Sequence, residues 1–277
     1  MKPISQTTRI RIFSAIVAVI GLVAITLFSG YIGIAITTFF ISAIALFEFG
    51  RMTLDGPRYK IARYYFWLLG LVAFVTSIVR NDWILHSFVL STLLLFIVFL
   101  LIARDESAPL EELVNKAGLC LLGILYAGVC PVYICLLARL SSHLEWFFFA
   151  LCVVFSGDVV AYFVGRAFGK STLFTRISPH KSIEGAIGSL FASVVVGLLM
   201  RKLLLPDTDL FLMTALSILT SCVAQLGDLC ESLVKRSFRT KDSGNIMPGH
   251  GGVLDRVDGI LFGAPLVYIF AKYVILS

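Results

Sequence analysis

WILHSFVLSTLLLFIVFLLIA, residues 83–103, runs for 21 positions without a Lys, Arg, Asp or Glu. A helix of about 20 such residues spans the hydrocarbon core of a bilayer. The alternation of apolar and polar residues that a membrane-spanning barrel requires is absent, which leaves the helix. Working outward, comparable apolar runs lie at 12–29, 31–48, 64–79, 117–138, 144–165, 186–200, 209–227 and 259–276, of which 186–200 is the shortest. With 58% hydrophobic residues, only 14% charged residues and a mean hydropathy of +0.95, a chain of 277 residues lies outside the soluble range. The expected fold is all-α, a polytopic membrane helix bundle of about nine transmembrane helices.

The charges support this division. Ser29–Gly30 makes the first turn so tight that the first two helices are expected to form a hairpin. Nine crossings put the two ends of the chain on opposite sides. The N-terminal tail and the loops 49–63, 104–116, 166–185 and 228–258 then carry 18 Lys/Arg, against 5 on the other side. The positive-inside bias makes that richer side cytoplasmic. The net charge of +6 is explained by orientation and forms no basic stripe, so nucleic acid is not expected as a partner. The first run lacks a small-residue cleavage site and is expected to stay as a span. Cys120, Cys130, Cys135, Cys152, Cys222 and Cys230 form no CxxC or Cys/His cluster and read as packing residues. Glu48, at the end of the second run, reads as an interfacial charge beside a basic loop.

From residue 156 the character changes. Asp158 and Tyr162 lie four apart on one helix face, close to Ser156. A carboxylate in an apolar helix costs ~2.5–3.5 kcal/mol on insertion scales. Asp158 is therefore expected to face a polar cavity or partner, with snorkelling to the nearby interface as the plain alternative. GRAFGKST, Gly165–Thr172, follows a membrane helix and has three residues, not four, between Gly165 and Gly169, so it is no P-loop. Its glycines, with Arg166 and Lys170, still offer flexible backbone and cations suited to a phosphate.

AQLGDLCESLVKR, Ala224–Arg236, prolongs the 209–227 helix. Continued as a helix, it sets Asp228, Ser232 and Lys235 on one face, with Glu231 beside them. LDRVDG opens the last helix with Asp255 and Asp258 three apart. Two helix ends at one membrane surface can bring Asp228 and Asp255 together. Carboxylates bordered by Lys and Arg suit a Mg²⁺–triphosphate, the metal taking one or two carboxylates and phosphate oxygens besides. A surface ion-pair network is the plain alternative. His250, set between Gly249 and Gly251–Gly252, lies where backbone can approach a ligand closely, and is expected to contact nucleotide or phosphate. Lys241 and Asp242 pair either with each other or with substrate and metal.

The ordered set Ser232, Lys235–Arg236, Lys241–Asp242, Pro248, His250–Gly251–Gly252, Asp255–Arg256 and Asp258 resembles the signature of the phosphatidate cytidylyltransferases, or CDP-diacylglycerol synthases. SPHKSIEGAIG, Ser178–Gly188, is similar to a second family segment, SPKKTxEG. There Ser178, Pro179, Lys181, Glu184 and Gly185 match, while His180 and Ser182 depart from it. The resemblance covers the chain from Ser156 onward. It implies transfer of CMP from CTP to phosphatidic acid, giving CDP-diacylglycerol and pyrophosphate, with Mg²⁺ and room for a second cation such as K⁺. It also implies a homodimer in the bilayer of a bacterial inner membrane, with the N-terminus and active site cytoplasmic. On this reading Asp228 and Asp255 hold the metal with Asp258 in support, and Lys235, Arg236, Lys241 and Arg256 neutralise phosphates. Asp158, Tyr162, Arg166, Lys170, Ser178, Lys181, Glu184, Ser232, His250, Gly251 and Gly252 are the expected substrate contacts. Residues 1–143 become a scaffold of transmembrane helices, and 144–277 a catalytic region with cytoplasmic loops 166–185 and 228–258.

The nearest rival is another CTP-dependent lipid enzyme, of the polyprenol kinase or CDP-archaeol synthase type. A CDP-alcohol phosphatidyltransferase would carry a DGxxAR motif, which is absent. An ion-coupled transporter predicts charges spread through the membrane depth, whereas here they gather at one surface.

Overall fold

The computed structural model describes residues 6–246 and 251–276, with side chains described from residue 29 onward. Helix α1 (Gln6–Thr53) contains both of the first two apolar runs. The break between them is the single residue Gly30, at φ 51° and ψ −133°, a conformation open to glycine because it has no Cβ. Then come α2 (Lys60–Val79), α3 (Ile84–Ile102) and α4 (Leu110–Gly123). A π turn at Ile124–Val129 joins α4 to α5 (Cys130–Leu140). The single crossing expected over 117–138 is present as Leu110–Leu140, with wider bounds. It starts seven residues earlier, where the acidic Glu111 and Glu112 sit in its first turn, and it is interrupted by the π turn.

Helix α6 (Glu145–Phe168) leads into an antiparallel hairpin, β1 (Thr172–Phe174) and β2 (Ser178–Ser182), within what the sequence suggests is only loop. The strands are too short for a pattern to show. Helix α7 (Ile183–Leu204) is longer than the 186–200 run, because Arg201 and Lys202 belong to its last turn. Helices α8 (Leu210–Ser237) and α9 (Leu254–Phe270) complete the chain, α9 ending in a second π turn, Ala271–Ile275. The first ten residues of the expected 228–258 loop are therefore helix. Among the described residues eight helices are long and apolar enough to cross a bilayer, the first of them Ser29–Thr53. The side chains of the 12–29 run before Ser29 lie outside the described residues. The protein is an integral membrane helix bundle.

The chain forms two compact units, residues 1–135 with 242–256 and residues 136–241 with 257–277. In the first, Leu46, Phe49, Phe66, Phe74, Leu95 and Ile124 form the buried core. Small residues let its helices approach closely: a Cβ at Gly70 would lie 2.7 Å from Leu46, and one at Gly128 would lie 3.0 Å from the carbonyl oxygen of Gly70.

In the second unit, Trp146, Phe149, Val153, Met213 and Leu261 are buried. Gly157, Ala161 and Gly165 of α6 meet Gly185, Ser189 and Ser193 of α7, small residues at four-residue spacing on both faces. The hydroxyl of Ser193 reaches the carbonyl of Val153 at 3.0 Å, satisfying a polar atom that lipid could not. Two helix starts are fixed by side-chain caps. Ser182 accepts the Gly185 N–H at 3.1 Å, and Asp209 accepts the Leu212 N–H at 2.8 Å.

Candidate active site

The second unit gathers the charge. Helix α8 continues without a break through Asp228, so Asp228, Glu231 and Lys235 fall on one side of it. Gly227 is what lets α9 come near: a Cβ there would lie 2.8 Å from the Phe262 ring and 2.9 Å from the carbonyl oxygen of Asp258. As a result carboxylate oxygens of Asp228, Glu231 and Asp258 all lie within 4.8 Å of one another. Asp258 Oδ1 also accepts the Gly259 N–H at 2.8 Å. Glu231 is fully buried at its side chain and holds Lys235 Nζ at 3.0 Å. Lys181, at the end of β2, pairs with Asp228. Asp158 of α6 lies within electrostatic reach of both Asp228 and Lys181.

Four carboxylates are therefore grouped with two ammonium groups. At an effective dielectric of about 20, two ionised carboxylates at the 4.8 Å limit that holds for Asp228, Glu231 and Asp258 would repel by about 3 kcal/mol. An all-oxygen donor set with excess negative charge suits a hard divalent cation such as Mg²⁺. Glu231, which the sequence places merely beside this face, stands inside the cluster. Its position three residues after Asp228 and four before Lys235 is the signal that marks it.

Other expected contacts have structural partners. Arg166 Nη1 donates to Tyr162 Oη at 3.1 Å. Glu184 accepts the backbone N–H groups of Lys170 at 3.2 Å and Ser171 at 3.3 Å, so it secures the turn before β1. Arg236 donates to the carbonyls of Ile177, at 3.2 Å, and Thr240, at 2.9 Å, bracing the hairpin turn against the end of α8. Ser178 opens β2, and Ser232 is buried on α8.

In the first unit, residues 243 and 252–254 are organised around two carboxylates. Asp255 Oδ2 accepts from Ser243 N–H at 2.9 Å, Ser243 Oγ at 3.0 Å and Gly252 N–H at 2.8 Å. Glu48 accepts the N–H groups of Val253 at 3.1 Å and Leu254 at 3.0 Å, and the Ser243 hydroxyl at 3.2 Å. The reading of Glu48 as an interfacial charge is corrected: it is only 2% exposed. It satisfies N–H groups at the start of α9 that have no partner within the helix. Gly251 has φ 83°, and Lys241, Asp242 and Arg256 are exposed. His250 lies outside the described residues.

Fold and site together define a membrane-embedded helical protein with an acidic, lysine-flanked centre at the end of α8. A family model described as "Cytidylyltransferase family" matches residues 9–274, and the chain belongs to that family. It is 33% identical over 261 residues to the phosphatidate cytidylyltransferase of Staphylococcus haemolyticus, covering 94% of this chain and 98% of that protein. Two further phosphatidate cytidylyltransferases are similar over shorter stretches. That of Staphylococcus saprophyticus is 43% identical over 153 residues, 55% of this chain and 58% of that protein. That of Bacillus subtilis is 39% identical over 178 residues, 63% of this chain and 65% of that protein.

Proposed function

We propose that this protein transfers CMP from CTP to phosphatidic acid, yielding CDP-diacylglycerol and pyrophosphate. The observation that carries this reading is the cluster of Asp228, Glu231 and Asp258 with Lys181 and Lys235. In the reaction a phosphate oxygen of phosphatidic acid attacks the α-phosphorus of CTP. The bond from that phosphorus to the bridging oxygen breaks, and pyrophosphate leaves with its electron pair. The nucleophile is already anionic, so no strong general base is required. Repulsion between two anionic substrates and their alignment are the barriers to overcome.

Asp228 and Asp258, with Glu231, would hold Mg²⁺, and Asp255, one turn earlier on α9, is expected as a further ligand. Bound there, Mg²⁺ supplies charge neutralisation for the triphosphate. Lys181 and Lys235 hold the carboxylates in place, while Lys241 and Arg256 would neutralise phosphate oxygens. Arg236 and Glu184 fix the hairpin that carries Lys181. A second cation such as K⁺, and a homodimer, belong to the same reading. So does a bacterial inner membrane with the N-terminus and site cytoplasmic, supported by the 18 to 5 division of basic residues.

The test is pyrophosphate release by purified protein in detergent with CTP, phosphatidic acid and Mg²⁺, each omitted in turn and ATP exchanged for CTP. Release that needs all three, with a CDP-lipid product, is the expected result. CTP binding without release would redirect the search to other lipid acceptors, polyprenols first. Neither binding nor release would overturn the reading.

A further inference from the structure

We infer that Glu48, in the N-terminal scaffold, is a positioning residue for residues 243–244 and 252–253 and the first turn of α9. This inference rests on the cytidylyltransfer reading for its kinetic consequence, and on contacts within one compact unit for its geometry. Three donors converge on the Glu48 carboxylate from a segment about 200 residues away: the Val253 and Leu254 N–H groups and the Ser243 hydroxyl. A carboxylate at a helix N-terminus is favoured by both the unsatisfied N–H groups and the helix dipole. Ser243 links it to Asp255, because its hydroxyl is 3.2 Å from Glu48 and 3.0 Å from Asp255. One hydroxyl proton is shared by two carboxylates, so moving either one moves the other.

The loop is also shaped to receive this side chain. A Cβ at Gly244 would lie 2.7 Å from Glu48 Cδ and 2.9 Å from Glu48 Cγ. A Cβ at Gly252 would meet the Ser243 hydroxyl first, and would lie 2.6 Å from Glu48 Oε2 and 2.8 Å from the Gly244 nitrogen. Gly244 therefore leaves room for the Glu48 side chain, and Gly252 for the Ser243 hydroxyl together with that carboxylate. Without it, the start of α9 would have orphan donors, and Asp255 and Arg256 would leave from a loose helix end. A residue that fixes ligand orientation in this way typically contributes about 10–100-fold to activity.

The test uses the full-length protein in detergent, as wild type, Glu48→Gln, Glu48→Ala, Gly244→Ala and the Glu48→Ala/Gly244→Ala double variant. Hydrogen–deuterium exchange is followed in peptides from 242–256 and 183–204, and steady-state kinetics with CTP and phosphatidic acid run in parallel. Glu48→Ala is expected to speed exchange in 242–256 by about tenfold or more and leave 183–204 unchanged. Its kcat falls about 30-fold while KM for both substrates stays within about threefold. Glu48→Gln, which keeps one acceptor oxygen, lies between it and wild type. Gly244→Ala is harmful alone and adds little to Glu48→Ala, since the group it strikes is gone.

A Glu48→Ala kcat within about twofold of wild type would overturn the inference. So would unchanged exchange in 242–256, or effects of the two sites that simply multiply. If Glu48→Ala does not fold, Glu48→Gln and Gly244→Ala carry the same comparison. A wild type that fails to turn over would remove the proposed function, while the exchange results would still decide whether Glu48 holds the loop.

Discussion

The carboxylates of Glu48 and Asp255 are met by backbone N–H groups and one serine hydroxyl. Those of Asp228, Glu231 and Asp258 are met by one another, by two lysines and, at Asp258, by a single backbone N–H. The chemical groups are the same, but their surroundings differ in kind. An acid met by neutral donors stabilises a backbone conformation; Glu48 has that role alone, while Asp255, in the first turn of α9, is proposed as a metal ligand besides. Acids packed against one another retain uncompensated charge, which a divalent ion and a polyphosphate can use. Within this protein, the donors around a carboxylate set Glu48, which builds the loop, apart from Asp228, Glu231 and Asp258, and leave Asp255 with a share in both roles.

The sharpest way to break this comparison is to neutralise one acid of each group. Asp258→Asn and Asp228→Asn are each expected to lower turnover by about a hundredfold or more, with the protein still inserted and folded. Pyrophosphate release and a detergent melting curve check the two halves of that statement. Asp255→Asn is expected to abolish turnover as well. Near-normal activity there would move Asp255 wholly into the loop-building group.

Glu231→Gln comes next. It strips Lys235 of its buried partner, a change that typically destabilises by about 3–5 kcal/mol. A lowered thermal midpoint and a higher Mg²⁺ requirement in a titration are the expected results. An unchanged Mg²⁺ curve would take Glu231 out of the metal set.

Gly227→Ala sharpens the comparison from the backbone side. The new methyl would press on Phe262 and the Asp258 carbonyl, and such overpacking costs about 1–3 kcal/mol. Activity should fall with the melting temperature, because the approach of α9 to α8 is what assembles the cluster. The smallest effect is expected at Glu184→Ala. Its carboxylate serves two exposed backbone N–H groups, so turnover should change by about twofold or less.

Much of the fold was legible because apolar length is a strong signal. The run at 83–103 corresponds to α3, and the 64–79 run to the greater part of α2. Boundaries shifted where basic residues end a hydrophobic run but not the helix, as at Lys60–Arg63 and at Arg201–Lys202. There the charged head can reach the interface while the backbone stays helical. The hairpin at 172–182 was hidden because strands of three and five residues show no periodicity. The face of α8 carrying Asp228 and Lys235 could be read from spacing, since helix geometry fixes it. Glu48 could not. Its partners are 195 to 206 residues away in sequence, and proximity of that kind is set by packing rather than by local pattern. The relevant hint, a carboxylate inside an apolar run, was the same hint that marked Asp158.

A π turn such as Ile124–Val129 accommodates one residue more than an α-helix does. Each residue turns a helix by about 100°, so positions before and after it do not share faces at the usual spacing. Loss of one residue within the turn would leave an unbroken helix of nearly the same length. Every side chain beyond it would be rotated onto a new set of neighbours, and Gly128 would leave its place against Gly70. In evolutionary terms, this is a point inside a membrane crossing where a one-residue gap can be opened or closed without losing the crossing. Relatives that differ there should differ next in the small residues around Gly70.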